Sequence, residues 1–227
     1  MRTMMADEEL MKVGIDYHQI TLSKIDVYDG DTCKCYDEKG KEYLVRLVYV
    51  DAPEIEQTYG KQAKEALKKI LKEIQVSELW LIVDDGIDRK DNHDRYLGYL
   101  VGETSNSANY MMLADGHAWF YNDTSRKQDP LRPDPKVTEF AQKNKIGLFA
   151  DENAIEPKDW RRYSFLRFDE DVTPDKIQKI IKGVNPGWQI VFQAKKSGES
   201  NIVKEEMVES NQSGRKRMVL KSRKGKK

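Results

Sequence analysis

The chain has 227 residues, of which 38% are hydrophobic and 34% are charged, with 39 basic and 39 acidic side chains. This length suits one domain with an appended segment, and the 11 Tyr, 6 Phe and 4 Trp exclude a wholly disordered chain. Its apolar runs are too short for a transmembrane helix. Residues 1–14 contain no apolar core of a secretory signal, so we expect a cytoplasmic protein, with export as the alternative.

Charge is distributed unevenly along the chain. Residues 214–227 hold eight Lys and Arg and no acid, which leaves 31 basic and 39 acidic residues in 1–213, a net charge of −8. A basic tail on an acidic body is typical of a segment that contacts a polyanion, most commonly nucleic acid. The alternative is a solvated tail that only aids solubility.

Six segments show the period-two alternation of β-strands. They are residues 18–27, 32–36, 42–50, 79–83, 96–101 and, less extended, 117–121. The turns at 29–31 and 37–40 are short enough to join the first three strands as a meander.

Three helices are predicted between and after these strands. Apolar residues at helical spacing form one stripe along 59–74, and the second helix, 107–114, is followed by Gly116. The third begins at Pro135 and continues to about residue 145. The order of elements predicts an α+β fold, in which a small, partly open, five-stranded β-barrel carries three helices at one end.

The composition divides the chain into four parts. They are a flexible lead-in (1–17), the barrel domain (18–150), an appended segment of uncertain fold (151–194) and a basic tail predicted to be disordered (195–227). Within the appended segment we predict a helix at 175–181 and a strand at 188–193.

Charged groups are concentrated at two strand ends. Asp31 lies in the first turn, Arg46 lies in the third strand, and Asp51 and Glu54 follow that strand across a proline turn. Carboxylates from two turns, with a turn carbonyl, form a hard-oxygen site that suits Ca²⁺ or Mg²⁺ better than Zn²⁺. They fill only part of a calcium shell of roughly six to eight oxygens, which leaves room for water and a substrate phosphate. Arg46 and Arg95 would hold that phosphate bidentately.

Three motifs appear in order: DGDT at 29–32, RL-x3-DAPE at 46–54 and D-x3-R at 91–95. This order resembles the thermonuclease, or micrococcal-nuclease-like, family, whose members share a small OB-like barrel. The later Gly-Leu-Phe at 147–149 is similar to the closing G-[LI]-W of the family, so the resemblance covers roughly residues 18–150.

The resemblance implies a set of site residues. Asp31, Asp51 and the backbone carbonyl of Ala52 would be metal ligands, and Asp29 would support them. Glu54 would position or deprotonate the attacking water.

The resemblance also implies a reaction. Arg46 and Arg95 would hold the phosphate and stabilise its developing charge. The implied activity is Ca²⁺-dependent hydrolysis of phosphodiester bonds in DNA and RNA, with little sequence specificity and with 3′-phosphate products. The alternative is a non-catalytic OB-fold module of the same family that binds nucleic acid or protein.

The chain departs from the family pattern before its second arginine, where the family usually reads D-x-Y-G-R. His93 replaces the tyrosine and Asp94 replaces the glycine. The His93 imidazole can donate a hydrogen bond to phosphate. Asp94 either neutralises Arg95 or is a solvated loop residue. Tyr121 lies where the family places aromatic residues for base stacking, and core packing is the alternative for it.

Overall fold

The computed structural model describes residues 17–84, 90–103, 107–126, 129–163, 188–192, 203–208 and 216–222. The chain forms two compact units, which divide between Ala154 and Ile155. The predicted lead-in as far as residue 16 and the predicted helix at 175–181 lie outside the described residues.

The first unit is built on a closed five-stranded barrel. The described strands of this unit, in the barrel and beside it, are β1 (Tyr17–Val27), β2 (Thr32–Asp37), β3 (Glu42–Leu47), β4 (Val50–Asp51), β5 (Leu79–Asp84), β6 (Tyr96–Gly102) and β7 (Trp119–Phe120). The barrel order is β1-β2-β3-β6-β5, and β4 pairs with β7 in a separate two-stranded sheet. Only the β3–β6 pair within the barrel is parallel. The predicted α+β, OB-like barrel is confirmed, and it is closed where a partly open barrel was expected, because β5 pairs with both β1 and β6.

The predicted strand at 42–50 is divided into β3 and β4. The division falls at Val48 and Tyr49, and Tyr49 has a φ of 63°. A left-handed residue ends the extended conformation of a strand. The chain therefore turns before Asp51 and leaves the barrel to pair with β7.

The helices of the first unit are α1 (Gly60–Ile74), α2 (Ala108–Ala114) and α3 (Lys136–Lys143), with 3₁₀ turns at Thr124–Arg126 and Gly147–Ala150. The predicted stripe of α1 is buried at Ala63, Leu67, Ile70, Leu71 and Ile74. In the part of the chain that the structure describes, no helix is both long and apolar enough to cross a membrane.

Packing in the barrel core fixes the positions of the strand ends that carry the predicted site residues. Val45, Leu81 and Leu100 are fully buried inside the barrel, and each contributes roughly 1.5–3 kcal/mol by burial. Buried Asn109 of α2 donates to the carbonyls of Val48 and Gly98 at 2.9 and 3.1 Å. Because buried amide groups need such partners, this side chain fastens α2 to the barrel next to β4.

The second unit contains helix α4 (Pro157–Tyr163) and a three-stranded sheet. The sheet consists of β8 (Trp188–Phe192), β9 (Val203–Val208) and β10 (Lys216–Ser222), in the order β8-β10-β9. Strand β10 runs parallel to β8 and antiparallel to β9. Both β9 and β10 lie within 195–227, where disorder was expected. The polar composition of that segment masks short β-forming runs, such as the apolar residues 218–220 in β10.

Candidate functional site

Strand pairing brings the predicted site residues to one end of the barrel. Thr32 at the start of β2 pairs with Arg46 near the end of β3, and Arg46 pairs in turn with Leu97 of β6. Arg95 lies two residues before Leu97. The first turn, the end of β3 and the start of β6 are therefore neighbours, although about fifty residues separate Arg46 from Arg95 in the sequence.

A continuous chain of polar contacts joins both arginines. Arg95 Nη1 donates to Thr32 Oγ1 at 3.0 Å, and that hydroxyl donates to Asp31 Oδ1 at 2.9 Å. The Arg46 guanidinium forms a close ion pair with Asp31 through Nη1 and contacts Asp51 Oδ1 at 3.1 Å through Nη2. Asp31, Asp51 and the two arginines therefore form one site.

The two carboxylates of this site are deeply placed. The side chains of Asp31 and Asp51 are 10% and 5% exposed, and the side chain of Arg46 is 14% exposed. Asp31 Oδ2 also accepts a hydrogen bond from the Ala52 amide at 2.8 Å. Because buried charges require partners, Arg46 offsets the cost of burying both carboxylates, and the Ala52 amide adds a second partner for Asp31.

The first turn positions Asp31 through its neighbours. Asp29 Oδ1 accepts hydrogen bonds from the amides of Asp31 and Thr32 at 3.0 and 2.7 Å. A Cβ at Gly30 would lie 2.5 Å from the Ala52 side chain, so only glycine permits this turn to approach the turn that follows β4. Burial, together with the charge of Asp31, raises the pKa of Asp29 to about 6.

Arg95 is held by Asp91, which sequence reasoning did not identify as a site residue. Asp91 Oδ2 accepts from Arg95 Nε at 2.8 Å and lies 2.7 Å from Nη2. Its Oδ1 accepts from the amides of His93 and Arg95 at 2.8 and 3.0 Å. Burial opposes ionisation of Asp91, but these hydrogen bonds outweigh it and lower its pKa. The aspartate four residues before the arginine is the sequence signal for this role.

Asp94 is turned toward a different cation. Its carboxylate is 84% exposed and contacts Lys90 Nζ at 2.8 Å. Its φ is 62°, a left-handed conformation that glycine adopts freely and that aspartate tolerates better than most residues. The left-handed backbone explains why the family usually has glycine at this position. The contact with Lys90 favours the interpretation of Asp94 as a solvated loop residue.

Glu54 lies in the turn between β4 and α1. Its amide donates to Gln57 Oε1 at 3.2 Å, and its carbonyl accepts from the Gln57 amide at 2.8 Å. Gln57 is only 4% exposed, so this turn is fixed from the buried side. The Glu54 carbonyl also leaves no room for a Cβ at Gly60, where α1 begins.

The two predicted substrate-binding residues are both exposed. His93 lies in the turn that carries Arg95, and its ring is at the surface. Tyr121 is 52% exposed, and its amide donates to the Tyr49 carbonyl at 2.8 Å, so it lies beside the chain segment that leads to Asp51. This exposure favours a contact surface over core packing for Tyr121.

The donor set is compatible with a hard cation. Asp31 and Asp51 supply carboxylate oxygens from two turns, and the Ala52 backbone lies against Asp31. Burial is the main cause of the raised pKa of Asp29 and the negative charge of Asp31 is the second, and a cation at Asp31 would offset that second contribution. Among the described residues, no three His, Cys, Asp or Glu side chains converge as a metal site. Two carboxylates and a carbonyl would fill only part of a calcium shell.

Comparisons with known proteins show the family of this chain. The family model described as "Staphylococcal nuclease homologue" matches residues 44–151. An "Uncharacterized endonuclease" of Haemophilus influenzae is 33% identical over 159 residues, which cover 69% of this chain and 83% of that protein. A "Micrococcal nuclease" of Shigella flexneri is 30% identical over 148 residues, which cover 61% of this chain and 78% of that protein. The chain is a member of the staphylococcal nuclease family.

Proposed function

We propose that the protein is a Ca²⁺-dependent nuclease that hydrolyses phosphodiester bonds in DNA and RNA with little sequence specificity and leaves 3′-phosphates. The observation that carries this proposal is the polar chain from Arg95 through Thr32 and Asp31 to Arg46 and Asp51. Family membership, with relatives named as nucleases and endonucleases, supports the reaction class.

The arginines supply the charge that a phosphodiester requires. Each guanidinium is already oriented by a carboxylate, Arg46 by Asp31 and Asp51, and Arg95 by Asp91. An oriented guanidinium offers two parallel donors to phosphate oxygens at little reorganisation cost. Arg46 and Arg95 would therefore bind the scissile phosphate and stabilise the negative charge that builds on it.

Glu54 is the group proposed to accept the proton of the attacking water. A general base contributes roughly 10²–10⁴-fold in rate, or about 3–5 kcal/mol. Enzymatic barriers are lowered by roughly 8–23 kcal/mol. The remainder must come from orientation and electrostatic stabilisation, for which both arginines are needed.

Asp31, Asp51 and the Ala52 carbonyl would hold the cation, with Asp29 stabilising the turn that presents Asp31. Bound Ca²⁺ would neutralise phosphate charge and orient the water. The guanidinium of Arg46 contacts both carboxylates. Cation binding would therefore compete with these ion pairs and leave Arg46 available to the phosphate.

Nucleic acid is the proposed partner at two places. The exposed His93 and Tyr121 would extend the contact surface around the two arginines, by a hydrogen bond to phosphate and by base stacking respectively. The basic tail, 214–227, would add contacts that depend on counterion release. Removal of residues 223–227, which follow β10 and hold four of the eight basic side chains, would then flatten the salt dependence of DNA binding, and the same slope without them would exclude these residues as a major contact.

The test is cleavage of a fluorogenic single-stranded DNA and of an RNA of the same sequence, with Ca²⁺, with Mg²⁺ and with EDTA. We expect cleavage with Ca²⁺, loss of cleavage in EDTA, and product ends that a 3′-phosphatase converts to 3′-hydroxyls. Cleavage in EDTA would contradict the metal dependence. Binding of DNA without cleavage under every condition would favour the non-catalytic module.

A further inference from the structure

Tyr49 has an unusual backbone conformation directly before the proposed metal ligands. It lies two residues before Asp51, has a φ of 63° and is 1% exposed. A bulky residue in a sparsely populated backbone region costs roughly 1–3 kcal/mol. Such a conformation persists only where surrounding contacts enforce it.

Contacts with its hydroxyl, its ring and its carbonyl hold Tyr49 in this conformation. Its hydroxyl lies 3.0 Å from Asp129 Oδ2 and 2.9 Å from the Arg126 carbonyl. Its ring stacks on Phe120 at 5.7 Å with an interplanar angle of 1°. Its carbonyl accepts from the Tyr121 amide at 2.8 Å. One residue thus connects Asp129 to the backbone of both β4 and β7.

Asp129 is a buried acceptor for several hydroxyls. It is 8% exposed, and its Oδ2 also accepts from Tyr99 at 2.6 Å. Its Oδ1 accepts from the Tyr17 hydroxyl at 2.7 Å and from the Leu131 amide at 2.9 Å. Four hydrogen bonds to one buried carboxylate form a rigid, fully satisfied group, and the barrel strands β1 and β6 anchor it.

We propose that Asp129 is a positioning residue that acts through Tyr49 to fix the turn of Asp51 and Ala52. This rests on the proposed function, because it assigns those two residues to the reacting site. The Asp129–Tyr49 hydrogen bond opposes relaxation of the left-handed backbone. Relaxation at Tyr49 would shift Asp51 relative to Asp31 and Arg46 on the barrel.

The experiment compares Tyr49→Phe with Tyr99→Phe as its matched control. Each variant removes one hydroxyl from the same oxygen of Asp129, but only Tyr49 is continuous with β4. Because Tyr49→Phe also removes the contact with the Arg126 carbonyl, Asp129→Asn, which retains the Tyr49 hydroxyl, is needed to assign the effect to Asp129. The primary readout is amide hydrogen exchange, which requires neither metal nor activity. The Ala52 amide, bonded to Asp31 Oδ2, and the Tyr121 amide, bonded to the Tyr49 carbonyl, report the turn directly.

We expect Tyr49→Phe to reduce protection of both amides by about tenfold, the effect of a hydrogen bond to a charged group. Tyr99→Phe should leave both amides as protected as in the wild type after correction for global stability. Equal protection in Tyr49→Phe and Tyr99→Phe would overturn the proposal. Asp129→Asn is the second variant, and it must also lower protection at these two amides; unchanged protection would overturn the proposal as well.

Nuclease kinetics separate this inference from the proposed function. We expect kcat to fall by about tenfold in Tyr49→Phe, with KM little changed, because a displaced ligand turn impairs the reaction more than binding. If the wild type is active and Tyr49→Phe has the same kcat as Tyr99→Phe, the positioning role of Asp129 is contradicted but the proposed function is not. An inactive wild type would contradict the proposed function, and the exchange measurement would still decide the role of Asp129.

Discussion

Replacement of Asp91 by Asn tests how much the orientation of Arg95 contributes to the reaction. In Asp91→Asn, Oδ1 can still accept from the amides of His93 and Arg95, so the turn is retained. The other oxygen becomes an NH₂ group that faces Arg95 Nε and Nη2, which are themselves donors. The variant therefore disturbs the guanidinium and spares the backbone.

The magnitude follows from the contacts that are lost. A hydrogen bond to a charged group contributes about 1.5–3 kcal/mol, and the side chains of Asp91 and Arg95 are only 19% and 22% exposed. Because about 1.4 kcal/mol corresponds to tenfold in rate, we expect kcat/KM to fall by roughly tenfold to a hundredfold. Arg95 keeps its contact with Thr32, which limits the loss.

The assay is cleavage of fluorogenic single-stranded DNA in saturating Ca²⁺, with thermal unfolding measured on the same samples. Asp94→Asn is the matched control, since it makes the same chemical change in the same turn. Asp94 pairs with Lys90 at the surface, and such pairs contribute about 0–1 kcal/mol. Its activity should be unchanged. Full activity in Asp91→Asn, or an equal loss in Asp94→Asn, would refute the orientation of Arg95 by Asp91.

Three further predictions concern stability and binding. Burial lowers the pKa of His117, so the unfolded state takes up a proton as the pH falls below about 6.5 and the free energy of unfolding decreases. Chemical denaturation at pH 7 and at pH 5 should show a smaller decrease in His117→Gln than in the wild type. Equal decreases in the two proteins would contradict this prediction. Gly30→Ala should lower the free energy of unfolding by about 1–3 kcal/mol through overpacking against Ala52; an unchanged free energy of unfolding would exclude overpacking. His93→Ala should weaken nucleotide binding through the loss of a hydrogen bond to phosphate, and an unchanged binding curve would remove His93 from the contact surface.

Much of the fold could be predicted from local pattern. The stripe of α1 and the alternation of β1 and β2 are set by neighbouring residues, so their bounds agree with the structure to within a residue or two. The break between β3 and β4 could not be predicted, because the left-handed conformation of Tyr49 is imposed by long-range contacts. Closure of the barrel depends likewise on the pairing of β1 with β5, for example of Thr21 with Trp80, which are far apart in the sequence.

The candidate site could likewise be predicted only in part. The motifs identified the charged residues, and the strand pairing of Thr32 with Arg46 explains why they are neighbours. The residues that orient them were not identified from the sequence. Asp91, Gln57 and Asp129 act through hydrogen bonds to particular atoms. The D-x3-R motif includes Asp91 but does not show which atoms it contacts, and no motif includes Gln57 or Asp129.

The most direct test of nuclease activity at this site is the cleavage rate of Glu54→Gln relative to the wild type, with DNA binding measured in the same samples. Gln keeps the size of the side chain and removes its capacity to accept a proton. With Ca²⁺ present, we expect wild-type cleavage, a loss of roughly 10²–10⁴-fold in Glu54→Gln, and nearly unchanged binding. Equal cleavage by the two proteins, or no cleavage by the wild type despite DNA binding, would contradict the assignment of this site as a Glu54-dependent nuclease centre.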